Sequence, residues 1–244
     1  MIKNIDSVNN PIIKEACKLK LLKYSKKEKE FLIEGFHILE MGIKANMVVC
    51  VFTLKKLDIS DNITQYIVNE RIINKLSTLE TSQGVVAKCK YLEAKMLFGN
   101  TIVYLENVKD PGNLGTILRT CLAFNIKDVI ISPDSVSVYN DKVIMASQGA
   151  IFSLNIVSAK LQDILKNFED YDIISTTLGT NSVYLEDFKI QNEKNIIVFG
   201  NESKGIEKET IKISNHLIKI KISNIDSLNV GVAAGIILNA FKKF

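Results

Sequence analysis

Arginine, histidine and cysteine are all scarce in this chain of 244 residues, which limits the sites that it can build. The four cysteines are far apart and form no CxxC pair: Cys17, Cys50, Cys89 and Cys121. Only His37 and His216 could join them, and this spacing argues against a structural zinc site, so we expect no metal. Without a signal peptide, four lone thiols predict a protein of the reducing cytosol.

Long apolar runs are absent as well, and no segment approaches the length of a membrane span. With 47% hydrophobic residues the chain can still build a substantial core, and its length allows one large or two modest domains. Among the 31 basic residues only Arg71 and Arg119 are arginines. Where lysine is the default cation, an arginine hints that the position requires a planar guanidinium.

The positive charge is concentrated in the first part of the chain. Residues 1–99 contain 16 basic and 11 acidic side chains, a net charge of +5, whereas residues 100–244 carry a net charge of −1. This asymmetry suits a polyanionic partner that docks on the N-terminal part, and lysine-rich solvated helices are the alternative interpretation.

The first 90 residues alternate between strand and helix patterns, which predicts a small layered α/β domain. We predict a first helix that begins at Pro11 and continues to about Leu22, with Ile12 on its apolar face. Strands are predicted over 31–33, 47–53 and 84–89, and a second helix from His37 to about Lys44. The segment 57–79 is predicted to form two weak helices that flank a strand. His37 has no nucleophile or carboxylate at a catalytic spacing, so we interpret it as structural.

The second part begins with a clear buried strand over 101–105. The loop after it leads into a helix over about 114–124, for which Asn113 is the expected N-cap. Further strands are predicted over 128–132, 172–177, 195–199 and, from alternating isoleucines, 218–222. A last helix opens at Ser227, and its small residues predict close packing: Gly231, Ala233, Ala234 and Gly235.

Three polar loops, each directly after a predicted strand, carry the candidate chemistry. The loop GNESKG at 200–205 is neither a GxxxxGK[ST] phosphate loop nor a GxGxxG motif. Its Glu202 is unsuited to a phosphate but suits a ligand with hydroxyls, an ammonium or a sulfonium. Unaided, the pattern favours an open doubly wound sheet, since knotted chains are rare.

Taken together, the loops NVKDPGNLGTILRT, FGNESKG and ISNIDSLNVGVAAG resemble motifs 1, 2 and 3 of the SpoU (TrmH-type) RNA 2′-O-ribose methyltransferases of the SPOUT class. The stretch from Ser7 to Gly35 is similar to the RNA-binding domain of many members. The resemblance implies an α/β fold whose mostly parallel sheet forms a deep trefoil knot. It also implies an RNA-binding domain over 1–92, a linker over 93–99 and a catalytic domain over 100–244.

The same resemblance implies roles for individual residues. S-adenosylmethionine would be held at Leu178, Gly179, Phe199, Gly200, Ile220 and Leu228. The catalytic residues would be Asn113, Arg119, Glu202, Ser227 and Asn229. A free guanidinium gives up its proton only above about pH 12. Arg119 would therefore act either as a base beside the positive sulfonium or as a clamp on the adjacent phosphate.

RNA, ribosomal or transfer, is the implied substrate, and members of the family are homodimers whose active sites use both subunits. The lysines expected to bind it are Lys14, Lys18, Lys20, Lys26 and Lys27. Two departures stand out. The loop before Ser227 is about one residue short and lacks the usual proline and glycine, which leaves the placement of Ile220 open by a residue. Met145 stands where members often carry a basic residue.

Two other functions are compatible with an α/β chain of this kind. A non-catalytic RNA-binding or ribosome-assembly protein could retain the fold, although the complete set of motif residues argues against it. A dinucleotide-dependent oxidoreductase would need a GxGxxG motif after the first strand of either part, and neither part has one.

Overall fold

The structure, a computed structural model, describes residues 1–97 and 99–242. Phe98, in the expected linker, and Lys243 and Phe244, in the expected catalytic domain, lie outside the described residues. The chain divides into two compact units. The N-terminal unit contains Met1–Glu93 together with Tyr139–Phe152, and the C-terminal unit contains Ala94–Val138 and the chain from Ser153 onward.

Helices and strands alternate along most of the described chain. The strands are β1 (Ile2–Ile5), β2 (Glu30–Glu34), β3 (Val48–Thr53), β4 (Thr64–Val68), β5 (Val85–Lys90), β6 (Thr101–Leu105), β7 (Asp128–Ile131), β8 (Asn155–Ser158), β9 (Asp172–Thr176), β10 (Val183–Tyr184), β11 (Asn195–Phe199) and β12 (His216–Lys219). The α-helices are α1 (Pro11–Lys18), α2 (Leu22–Glu28), α3 (Phe36–Lys44), α4 (Glu70–Leu76), α5 (Pro111–Ala123), α6 (Asp141–Ser147), α7 (Leu161–Ile164), α8 (Lys208–Lys212) and α9 (Val230–Phe241).

The N-terminal unit is built on a sheet with the strand order β1-β4-β3-β5-β2. The first three strands of this order run parallel, and β5 and β2 join antiparallel. One face carries a core in which Ile13 and Ala16 of α1 pack with Phe52, Ile72 and Ile73. The predicted α/β domain is therefore confirmed in its class.

Three local predictions in this unit are wrong. The helix expected from Pro11 to Leu22 ends at Lys18, and Leu21 is extended before α2 begins. The ammonium of Lys20 donates to the carbonyl oxygens of Lys75 and Ser77 at 2.7 and 2.6 Å, a tertiary contact that local periodicity does not contain. Ile13 rather than the exposed Ile12 faces the core.

Over 57–79 only α4 is helical, and it follows β4. The helix expected before β4 is absent, and the amide of Leu57 instead donates to the side chain of Gln65. Gln65 is buried in β4 and also donates to the carbonyl of Leu57, so this pair of hydrogen bonds holds the segment as a loop. The strand β1, which pairs with β4, was not predicted.

The C-terminal unit is built on a sheet with the order β10-β12-β9-β11-β6-β7-β8, in which every pairing is parallel. Its two central strands, β6 and β11, are buried along their whole length. Strands buried on both faces read as continuous apolar runs, which is why both were predicted with the observed bounds. The mostly parallel α/β sheet is confirmed; the knot stays a prediction.

The last predicted strand and helix both shift. Strand β12 ends at Lys219, so Ile220 and Ile222 lie beyond it. Helix α9 begins at Val230, and its N-cap is Asn229, whose side-chain oxygen accepts from the amides of Gly231 and Val232 at 2.9 and 3.3 Å.

The close packing predicted for α9 is found at one end of its small-residue run. A Cβ atom on Gly231 would lie 3.2 Å from the side chain of Thr116 in α5, so this glycine allows the two helices to approach closely. Ala234 is fully buried. Gly235, in contrast, faces open space, and the prediction of close packing is wrong there.

Within residues 1–97 and 99–242, no helix is long and apolar enough to cross a membrane.

Candidate active site

The described part of the C-terminal unit contains a cavity of about 450 Å³ at the carboxyl ends of β9, β11 and β12. In parallel α/β sheets this edge is where ligands bind, because loops and helix N-termini converge there. The cavity is lined by the residues that directly follow these three strands and by the start of α9. Its lining includes all six residues expected to hold the cofactor: Leu178, Gly179, Phe199, Gly200, Ile220 and Leu228.

The loop after β11 is closed tightly at its base. The backbones of Asn201 and Gly205 exchange two hydrogen bonds, of 3.0 and 2.9 Å, and Gly205 has a φ of 70°. Gly200 has no room for a side chain, since a Cβ atom there would lie 2.4 Å from the carbonyl carbon of Gly205. The side-chain oxygen of Asn201 accepts from the amides of Ser203 and Lys204 and so fixes the turn.

Three of the expected catalytic residues form one hydrogen-bonded chain. The side-chain nitrogen Nδ2 of Asn113 donates to the carboxylate of Glu202 at 3.0 Å. The side-chain oxygen of Asn113 accepts from Nδ2 of Asn229 at 2.8 Å. Asn113 lies in the first turn of α5, Glu202 in the turn after β11 and Asn229 at the N-cap of α9, so these hydrogen bonds join all three motifs. Asn113 is free for this role because Asp110 is the N-cap of α5, at 2.7 Å from the backbone amide of Asn113. The prediction that Asn113 caps this helix is wrong.

A second set of hydrogen bonds holds the loop after β6 against the segment after β11. Asn201 donates to the carbonyl of Asn107 at 2.8 Å. The carboxylate of Glu106, only 2% exposed, accepts from the amide of Glu207 at 2.7 Å and the hydroxyl of Thr210 at 2.5 Å. Burial raises the pKa of Glu106, and these two hydrogen bonds oppose the shift because they stabilise the ionised form.

The remaining expected catalytic residues lie in different places. Ser227 lines the cavity and is exposed. Arg119 is exposed on α5, and it is not among the residues that line the cavity. The structure therefore brings Asn113, Glu202 and Asn229 together, places Ser227 in the same cavity as the residues expected to hold the cofactor, and leaves Arg119 outside the cavity of its own chain.

The cavity combines an apolar wall with charged groups of both signs. Leu178, Ile220 and Leu228 provide apolar surface, Glu202 and Asp226 provide carboxylates, and Lys204 and Lys219 provide ammonium groups. Such a lining suits a ligand that is flat and apolar in one part and carries charges of both signs in another. Among the described residues, no group of His, Cys, Asp and Glu side chains could hold a metal ion.

Sequence reasoning missed Asp110, Asn201 and Asp226 as contributors to the site. The sequence did contain a signal for Asp110. Aspartate is a common N-cap residue, and proline is common at the first helical position that follows the N-cap. Asn201 lay inside the quoted GNESKG loop, and its turn-forming side chain could have been recognised from its residue type. No local signal identifies Asp226, which reaches the cavity through the fold alone.

The lysines expected to bind RNA lie on α1, α2 and the turn between them. Lys14, Lys18 and Lys26 are exposed. Lys27 is exposed and lies 3.6 Å from Glu28. The ammonium of Lys20 donates hydrogen bonds to two carbonyl oxygens at the end of α4, those of Lys75 and Ser77.

The fold and the cavity define an α/β protein with a ligand site at the carboxyl edge of a parallel sheet. The model of the SpoU rRNA Methylase family matches residues 100–239, and the MRM3-like substrate binding domain matches residues 10–87. The chain therefore belongs to the SpoU rRNA methylase family, and it is an RNA methyltransferase.

Known proteins resemble the chain over almost its full length. It is 28% identical to the 23S rRNA (guanosine(2553)-2′-O)-methyltransferase RlmP of Bacillus subtilis, over 97% of this chain and 98% of that protein. The AdoMet-bound rRNA methyltransferase from Sinorhizobium meliloti has a TM-score of 0.88 at 24% identity, covering 98% and 97% of the two chains. The AdoMet complex of AviRb from Streptomyces viridochromogenes has a TM-score of 0.82 at 18% identity, covering 96% and 97%. These two structures show the fold.

Gly200 of the cavity and Gly235 of α9 provide a matched pair of substitutions. We expect Gly200→Ala to lower the free energy of unfolding by about 1–3 kcal/mol, because the added methyl group overpacks the closed loop. Gly235→Ala, in an open position of α9, should raise it by roughly 0.5–1 kcal/mol. Urea denaturation measures both. Parent-like stability of Gly200→Ala would contradict the close approach at the base of this loop.

Proposed function

We propose that this protein transfers a methyl group from S-adenosylmethionine to a ribose 2′-hydroxyl of ribosomal RNA, in the cytoplasm. The observation that carries the proposal is the arrangement of the three motifs in a chain of the SpoU family: the second and third line one cavity, and Asn113 of the first is hydrogen-bonded to both. The name of the Bacillus subtilis relative, which matches along the full chain, supports the 2′-hydroxyl of ribosomal RNA as the acceptor.

The residues of the cavity fit S-adenosylmethionine. Leu178, Ile220 and Leu228 would enclose the adenine, and backbone groups of the loops would bind its edge. The carboxylates of Glu202 and Asp226 suit the positive charges of the methionine part and the sulfonium. When bound, the cofactor supplies the electrophilic methyl carbon.

The protein then has to align the 2′-oxygen and receive its proton. Alignment of two reactants can lower a barrier by about 7–11 kcal/mol. The hydrogen bonds that link Glu202, Asn113 and Asn229 keep the motif loops at a fixed spacing. Ser227 and Asn229 would contact the target nucleotide. Arg119 would act as the base or would bind the adjacent phosphate while another group takes the proton.

Arg119 would reach the reaction from a second copy of the chain. It lies outside the cavity of its own chain, and α9 presents an exposed apolar face on which Val232 is 53% and Ile236 is 42% exposed. A homodimer formed through this face would bury the apolar side chains and bring Arg119 of the partner subunit to the cavity.

Residues 1–92 would bind the RNA and residues 100–244 would carry out catalysis, joined by the linker over 93–99. Lys14 and Lys18 lie one turn apart on α1, and Lys26 and Lys27 extend the charge along α2. Lys20 is a weaker candidate than the sequence predicts, because its ammonium already donates to two carbonyl oxygens.

The function is tested by mapping 2′-O-methyl groups in ribosomal RNA from a strain that lacks the protein. We expect one modification to disappear, and the purified protein with S-adenosylmethionine should restore it on that RNA. If the ribosomal RNA is unchanged and only transfer RNA loses a methyl group, the proposed substrate is wrong. If neither RNA changes and the protein fails to bind S-adenosylmethionine, the enzymatic function is wrong.

The role of Arg119 in a dimer is tested by complementation. We expect Arg119→Ala to abolish turnover and to leave cofactor binding intact. Ala233→Phe should block the cavity that Ala233 lines and should also be inactive. Randomly mixed subunits of the two variants should recover roughly a quarter of parent activity, because half of the dimers then contain one intact site. No recovery would mean that Arg119 acts within its own subunit, and full activity of Arg119→Ala alone would exclude it from the mechanism.

The contribution of α1 to RNA binding is tested by its salt dependence. Lys14→Ala and Lys18→Ala should each weaken binding and reduce the slope of log K against log salt by about 1, because each removes one phosphate contact. Lys44→Ala is the matched control, since Lys44 is exposed on α3 and paired with Glu40 at 2.6 Å. An RNA affinity that does not depend on ionic strength would contradict this interface.

A further inference from the structure

Tyr184 forms an exposed aromatic site at one edge of the C-terminal sheet. It lies in β10, the edge strand, and its side chain is 40% exposed. Two ammonium groups lie over its ring, that of Lys219 at 4.9 Å and that of Lys221 at 5.9 Å from the centroid. The site therefore presents an aromatic face and two positive charges to solvent at the same place.

This site is continuous with the proposed cofactor cavity. Tyr184 pairs in register with Lys219 of β12, and Lys219 itself lines the cavity. The ammonium of Lys219 also lies 3.4 Å from the carbonyl oxygen of Gly179, which belongs to the same wall. The ring is therefore one strand away from the cavity in which the methyl transfer is proposed.

The charge of this site is not neutralised. Within residues 1–97 and 99–242, neither Lys219 nor Lys221 takes part in an ion pair. The comparable arrangement elsewhere in the same unit differs in this respect. Lys194 lies 5.5 Å from the ring of Tyr171, but its ammonium is bound to the carboxylate of Asp170 at 2.5 Å. The lysines beside Tyr184 thus remain available to an anion from outside the chain.

We propose that Tyr184, Lys219 and Lys221 bind an unpaired nucleotide of the RNA substrate next to the methylated one. On binding, the base takes the place of an ammonium group at the face of the Tyr184 ring, and the two ammonium groups bind the phosphate. Proteins recognise single-stranded RNA by this combination of aromatic stacking and lysine or arginine contacts to the backbone. The inference rests on the proposed function, and it restricts the acceptor to a ribose whose neighbouring base can leave the helical stack.

The test compares Tyr184→Ala, Tyr184→Phe and Lys221→Ala with Lys194→Ala as the matched control. None of these side chains lines the cavity. The probe is ribosomal RNA purified from a strain that lacks the protein. Its dissociation constant is measured by filter binding at several salt concentrations, and its KM by methyl transfer. Isothermal titration calorimetry measures the affinity of each variant for S-adenosylmethionine, and sedimentation measures its oligomeric state.

Tyr184→Ala should raise the dissociation constant and KM for the RNA about tenfold, the range of one lost base stack, and Tyr184→Phe should resemble the parent. Lys221→Ala should weaken binding and reduce the salt slope by about 0.7. Lys194→Ala and the affinity of every variant for S-adenosylmethionine should not change.

Parent-like RNA binding by Tyr184→Ala would overturn the proposal. An equal loss of S-adenosylmethionine affinity would assign the ring to the cofactor cavity instead, and a shift from dimer to monomer would make the site a contact between copies. If the parent protein binds the RNA but transfers no methyl group, the proposed function fails. The binding constants of the variants still decide the role of Tyr184.

Discussion

The hydrogen bond from Asn113 to Glu202 is the contact on which the arrangement of the site depends. It joins loops that are 89 residues apart, and the bond from Asn229 to Asn113 adds a third loop 116 residues away from Asn113. A neutral donor to an ionised carboxylate forms a stronger bond than two neutral groups, and it keeps Glu202 oriented at the cavity. The bonds are exposed, so their value lies in positioning the loops rather than in global stability.

This contact is possible because the parallel sheet has already brought the loops together. Strands β6 and β11 are neighbours, and β9 separates β11 from β12, so all their carboxyl ends lie at one edge. The buried carboxylate of Glu106 then ties the loop after β6 to α8, and Asn201 ties the turn after β11 to Asn107. The sheet therefore brings the loops within reach of one another, and these side-chain hydrogen bonds set their relative positions.

The elements predicted most accurately from the sequence are those that are equally buried along their whole length. Strands β6 and β11 are buried on both faces and read as apolar runs without any context. Prediction failed where a distant group competes with local periodicity. Lys20 bonds to the end of α4, Gln65 holds the loop at Leu57, and Asp110 replaces Asn113 as a helix cap. The motif residues were identified through the family resemblance. A shared motif reflects three-dimensional contacts that the spacing of residues in one sequence does not reveal.

The sequence by itself determined the class of the fold, the three motif loops and the family, because buried strands, glycine turns and motif residues are local features of the chain. Only the tertiary structure decided which groups meet. It separated Arg119 from the cavity of its own chain, moved Ile220 out of a strand to the cavity wall, and placed Tyr184 beside Lys219 and Lys221. The physical reason is that hydrogen bonds, charge pairs and ring contacts act over a few ångströms in space, and the order of the strands together with the paths of the loops and helices sets which residues come that close.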